Sequence, residues 1–177
     1  MIAQELERNL LPAGMSGFDS LRQSGKIYVD KTLLIYRLAS NKGGKYLLAR
    51  PRRFGKSLLI STFDSLFKHE LRDFQGLAIE KQWNDKTCDV VRLDFSEIGF
   101  FSSQADFLGQ LIEMLADAFD PFGFSYCPDS IIQFKNQVSR WLEERPTSSL
   151  VILIDEYDAP LTACLDNRDC LADKRRH

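Results

Sequence analysis

The stretch from Lys45 to Phe67, KYLLARPRRFGKSLLISTFDSLF, constrains the fold more than any other part of the chain. A short apolar run, Lys45 to Ala49, passes into a basic loop. From Lys56 onward Leu58, Leu59, Phe63, Leu66 and Phe67 recur on one face of a helix. The apolar run reads as a buried strand, so the order is strand, loop, helix. The loop nearly spells a phosphate-binding pattern, in which a glycine, four residues of any kind and Gly-Lys-Ser or Gly-Lys-Thr join a strand to a helix. Gly55, Lys56 and Ser57 fit, and Arg50 stands where the first glycine belongs. Pro51 has a fixed φ and biases Arg50 toward an extended conformation, so the chain leaves its strand by a stiffer path. The phosphate end is unchanged. Gly55 permits a positive φ and close approach, the helix N-terminus favours negative charge, Lys56 neutralises phosphates and the Ser57 hydroxyl ligates magnesium. The competing reading is a basic loop that is simply solvated.

The flanks supply more of the same alternation. Before the loop, the turn-rich LPAGMSGFD leads to a short extended Lys26 to Val29. A helix follows, with Leu33, Leu34, Arg37 and Leu38 at helical spacing, broken by Asn41-Lys-Gly-Gly. After the loop, Val90 to Ser96 reads as a strand and a helix starts near Ser103. A second helix, capped by Asp129 or Ser130, turns Ile131, Phe134, Val138, Trp141 and Leu142 inward and stops before Pro146. The continuous apolar run Leu150 to Ile154 fits a fully buried parallel strand. The fold class is therefore α/β, a parallel sheet covered by helices on both faces.

That last strand ends in Asp155-Glu156. A phosphate site needs an acidic residue at the end of a buried strand to hold magnesium against the loop hydroxyl, and Asp155 meets this requirement. Glu156 beside it is placed to orient and activate a water. The bland alternative is a buried strand that ends in a solvated acidic turn.

Composition narrows the remaining possibilities. With a net charge of −2 and a pI near 5.7, the 177-residue chain has no overall attraction to nucleic acid or anionic membrane. Cys88, Cys127, Cys164 and Cys170 form no C-x-x-C pair and the histidines are His69 and His177, which argues for unpaired thiols in a reducing compartment rather than zinc. MIAQELERNLL is acidic where a secretory signal is basic, and no apolar run approaches membrane-spanning length. A cytoplasmic chain without membrane contact is expected.

YVDKT, RPRRFGKSLL, LDFS and LIDEYD together resemble the AAA-ATPase-like family of bacterial ATP-binding proteins, which belongs to the P-loop NTPases. The similarity runs to about Leu161 and includes the missing first glycine. It implies an AAA-like P-loop fold, ATP and magnesium as cofactors, Lys56 and Ser57 on phosphate and metal, Asp155 on the metal and Glu156 as catalytic carboxylate. It also makes Arg52, Arg53, Phe54, Gly55 and Leu58 part of the nucleotide-holding loop. Residues 1–25 become a lead-in, 45–161 the nucleotide-binding core and 162–177 a tail of one domain. Many members are similar in carrying a PD-(D/E)XK-type nuclease further along, so any link to nucleic acid would be indirect. The other partners implied are a second copy or another protein.

Several roles stay open at this point. Arg52 and Arg53 either reach phosphates or a neighbouring subunit, or are solvated. Tyr28, Asp30 and Lys31 either line an adenine pocket or serve capping and packing. Asp94 either faces the site or makes a structural hydrogen bond. The resemblance also implies a sensor strand between the loop strand and the Asp155 strand, together with a helical lid, neither found in the sequence. The expectation is a truncated product with exposed strand edges. Three functions compete: an ATPase, a binding module without turnover, and a nucleic-acid-binding module using Arg50, Arg52, Arg53 and Lys56.

Overall fold

The computed structural model describes residues 11–51, 53–84, 86–126 and 131–166. The chain divides into two compact units, Met1–Val90 and Val91–His177.

Among its described residues the first unit is built from three helices, α1 (Phe18–Gln23), α2 (Thr32–Ala39) and α3 (Lys56–His69), followed by a 3-10 turn over Ala78–Lys81. The apolar face expected of α3 packs as read: Leu66 is fully buried, and Leu58, Leu59, Phe63 and Phe67 cover the same cluster around Phe18 and Phe74. Burying such side chains is the main favourable term, roughly 1.5–3 kcal/mol each. A buried hydrogen bond from the Phe18 N–H to Ser61 Oγ, 2.9 Å, ties α1 to α3. In α2 the inward residues are Thr32 and Ile35, whereas Leu33 and Leu34 are exposed. Leucine spacing marks a helix there but not its buried side.

The strand expected at Lys45 to Ala49 is absent. Residues 44–50 have no regular secondary structure and are exposed, Leu47 to 76%. The short extended stretch at Lys26 to Val29 likewise pairs with nothing in a ladder, and Val29 is 70% exposed. An extended segment becomes a strand when a neighbour takes its N–H and C=O groups. No such neighbour lies among the described residues.

The second unit holds the sheet, two parallel strands β1 (Asp89–Asp94) and β2 (Leu150–Asp155). Between them run α4 (Gln104–Phe119) and α5 (Ile131–Glu143), and α6 (Ala159–Asp166) follows β2. Parallel strands require such a crossover, because a tight hairpin can only reverse direction. Ser103 caps α4, its Oγ accepting from the Asp106 N–H, while Asp106 Oδ2 accepts from the Ser102 N–H. The expected cap of α5, at residues 127–130, and the side chain of Ile131 lie outside the described residues. Val91, Leu93, Phe119, Phe124 and Phe134 form the core, with Trp141 against Phe119 at 5.1 Å between ring centroids. Leu142 faces outward instead, and Arg145 lies 4.8 Å over the Trp141 ring.

β2 departs from its expected full burial. Ile152 and Ile154 are both exposed, while Asp155 at the strand end is buried. Ile152 and Ile154, two residues apart, share one face of the strand, which the described helices leave partly uncovered. Helix α6 also occupies residues that the sequence suggests as the start of a tail.

Candidate functional site

Gly55 precedes α3 with φ +75° and ψ 24°, the left-handed conformation that glycine adopts without a steric penalty. A Cβ placed there would meet no heavy atom within 4 Å, so the space over the loop is open. No side chain caps α3. Its first intrahelical bond in this region runs from the Leu59 N–H to the Gly55 carbonyl, 3.0 Å, and the preceding N–H groups of the first turn have no partner within the helix. Arg53 also has a positive φ, +67°, so the loop turns left-handed twice within three residues. Residues of alternating handedness are the backbone pattern from which anion-binding nests are made. Nothing in the sequence signals Arg53's conformation, since a non-glycine residue there costs of order 1–2 kcal/mol.

The side chains around the loop match this. Arg53, Phe54 and Gly55 are exposed, and Lys56, Ser57 and Leu58 are half-buried. Among the described residues neither Arg53 nor Lys56 makes an ion pair or a side-chain hydrogen bond. Arg52 lies outside the described residues.

The residues weighed for an adenine pocket have structural work. Asp30 Oδ1 accepts from the Thr32 N–H at 2.8 Å and from its hydroxyl, and Oδ2 accepts from the Ala78 N–H at 2.8 Å. Thr32 Oγ1 in turn accepts from the Ile79 N–H, so YVDKT pins the start of α2 to the 3-10 turn. Burial raises the Asp30 carboxyl and the Thr32 and Ala78 donors lower it, with a net value below the ordinary one. Tyr28 packs edge-on against Phe18, and burial pushes its hydroxyl up. Asp94 resolves the same way: its Oδ1 accepts from the Ser96 N–H and hydroxyl and starts the 3-10 turn Phe95–Glu97.

In the second unit Asp155 is 5% exposed. Its Oδ1 accepts from the Glu156 N–H at 3.0 Å, and its Oδ2 lies 3.9 Å from an Arg92 guanidinium nitrogen. Glu156 has φ +47°, an uncommon conformation for a residue with a side chain and one that concentrates at functional turns. Two residues on, Asp158 Oδ1 is buried without a hydrogen-bond partner among the described residues. Two concavities among the described residues of this unit lie along Leu142, Arg145, Ser149 and Ile152 and along Asp117, Phe124 and Tyr126.

Comparison with known proteins places these features in a family. The family described as Predicted AAA-ATPase matches residues 12–177, which include both the glycine loop and the acidic strand end. The chain belongs to the AAA-ATPase-like family. It is also similar to an uncharacterized protein of the vnfD 5′ region in Azotobacter chroococcum mcd 1, 31% identical over 164 residues. That similarity takes in 92% of this AAA-ATPase-like chain and 31% of the relative, so the chain spans about a third of that protein's length. No solved structure matches it. Among the described residues no helix is long and apolar enough to cross a membrane.

Proposed function

We propose that the chain is the magnesium–ATP-binding P-loop module of an ATPase. The observation that carries this reading is the bare N-terminus of α3, entered through left-handed Gly55 under open space, with Arg53 and Lys56 lacking any counter-charge among the described residues. Family membership supports it independently. The loop N–H groups take the phosphate oxygens, and Lys56 neutralises the terminal phosphates. Ser57 contributes its hydroxyl to magnesium and Asp155 its carboxylate, a hard oxygen donor set suited to that ion. The fit is supported at Asp155, where Oδ2 accepts no hydrogen bond among the described residues. Bound magnesium supplies charge neutralisation across the β and γ phosphates. Glu156 orients the attacking water and accepts its proton, so that the β–γ bond breaks and inorganic phosphate leaves. A second copy or a partner protein completes the assembly in this reading, in a cell's cytoplasm.

Calorimetric titration with magnesium–ATP tests the proposal. Lys56→Ala removes charge-assisted hydrogen bonds worth roughly 1.5–3 kcal/mol each, so affinity should fall by about tenfold to a hundredfold or more. Equal affinity in a folded Lys56→Ala variant overturns it.

A further inference from the structure

Asp155 is a buried carboxylate whose surroundings are sparse. One backbone N–H reaches Oδ1, and the Arg92 guanidinium stands 3.9 Å from Oδ2, beyond hydrogen-bond range. A buried ionised group requires a counter-charge, and Arg92 is its ion-pair partner. Arg92 projects from the middle of β1, the one exposed position between buried Val91 and Leu93. Its side chain is 42% exposed against 6% for that of Asp155. The pair therefore joins a fixed, enclosed acid to a cation that reaches solvent without any change in backbone.

We propose that Arg92 is the positioning cation of Asp155 in the metal-free chain and that magnesium takes its place, so metal binding competes with the Arg92–Asp155 pair. The inference rests on the assignment of Asp155 as the metal carboxylate in the proposed function. Three features carry it. Among the described residues Oδ2 accepts no hydrogen bond and is also the oxygen Arg92 approaches, so metal and guanidinium compete for a single atom. A dication and a guanidinium about 4 Å apart repel each other, which opposes simultaneous occupancy. The long contact and the open flank of Arg92 make it cheap to release, since half-exposed pairs contribute little to stability.

The test measures ATP affinity of the whole chain with excess magnesium and with excess EDTA, and takes the ratio as the gain due to metal. Arg92→Gln should raise that gain about threefold to tenfold while leaving affinity in EDTA unchanged. Arg92→Lys, which restores a cation, should return most of the way to wild type. In an Asp155→Asn background Arg92→Gln should do nothing. An Asp155-dependent gain that ignores Arg92 overturns this inference and leaves the metal assignment standing. A gain that ignores Asp155 overturns the assignment and the inference together. Equal weakening in magnesium and EDTA would make Arg92 a nucleotide contact and also overturn it. Should Arg92→Gln fail to fold, the side-chain N–H resonance of Arg92 in the wild type, identified by its loss in Arg92→Lys, should shift when magnesium is added to the ATP complex. A resonance that stays fixed would equally refute the exchange.

Discussion

At Gly55 the chain leaves a helix N-terminus bare, with Arg53 and Lys56 unpaired among the described residues, whereas at Asp155 it buries a carboxylate and surrounds it with an N–H and a guanidinium. The two places carry opposite charge and opposite degrees of compensation. A bare N-terminus with cations beside it gains on meeting an anion, because nothing has to be given up first. An enclosed carboxylate that already has partners gains a metal only by exchange. Substitutions at the loop should therefore act on nucleotide binding with or without magnesium, those at Asp155 only on the part of binding that metal adds, and those at Glu156 on what happens to the bound nucleotide.

The widest separation between the two regions is expected from Glu156→Gln. In a longer relative with the same motif it keeps the shape of the acidic turn and removes the proposed proton acceptor, so ATP turnover there should fall by about 10²–10⁴ while binding persists. Single-turnover phosphate release beside the calorimetric titration distinguishes these effects. Loss of binding with the fold intact would break the division of labour and give Glu156, with its φ of +47°, a structural role.

The cores beneath the two regions should separate next. Each contains one tryptophan, Trp83 in the first unit and Trp141 in the second. Leu66→Ala empties a fully buried position on α3 and should cost about 2–5 kcal/mol. Urea unfolding followed through Trp83, in a Trp141→Phe background, reads it directly. An unchanged midpoint would mean that α3 is held by something other than its apolar face.

The sequence was most legible where a single element sets its own environment. The period of Leu58, Leu59, Phe63, Leu66 and Phe67 gives both α3 and its buried side, and Ser103 marks the start of α4 because the capping oxygen and the N–H it accepts from lie within one turn. It was least legible where the partner is distant. KYLLA has a strand's composition, yet a ladder depends on a neighbour that composition does not encode. Ile152 and Ile154 belong to an apolar run but stand exposed for the same reason. Arg92 meets Asp155 across the sheet from far along the chain, and neither residue's local pattern announces the other. Of the candidate site, the glycine loop and the two acids were read from residue type and spacing. The left-handed turns at Arg53 and Glu156 were not, because each runs against the preference of its own residue.

Gly55→Ala sharpens the comparison on a smaller scale. An added Cβ meets no atom within 4 Å, so the whole cost is the left-handed backbone at φ +75°, about 1 kcal/mol or slightly more. Stability should drop by that amount through the Trp83 signal, and ATP affinity should weaken as the loop relaxes. A variant with wild-type affinity would show that the phosphate cradle does not require this conformation.

The smallest effect is expected in acid and falls on the first unit. Asp73 Oδ2 accepts from Ser65 Oγ at 2.9 Å and from Arg72. Burial pushes its carboxyl up, but those hydrogen bonds and the charges of Arg72 and His69 outweigh burial, so in the folded chain it lies below its ordinary value of 3.8. A carboxyl that is more acidic folded than unfolded stabilises the chain wherever it is ionised in both states. Its contribution is therefore intact from neutral pH down to the ordinary carboxylate range, and it is lost as the pH falls further, through the folded value. Asp30 is shifted in the same direction by its bonds to Thr32 and Ala78. Wild-type unfolding read through Trp83 should thus be flat from about pH 7 to pH 5 and decline below about pH 4. Asp73→Asn should be less stable at neutral pH, because the Arg72 pair and one acceptor are gone, yet show a shallower decline in acid. The slope that remains belongs to Asp30 and the other carboxyls, and Asp30→Asn should reduce it again. An acid limb as steep in Asp73→Asn as in the wild type would mean that the Ser65 and Arg72 bonds do not hold the carboxylate, and that acid reaches the α3 core by another route.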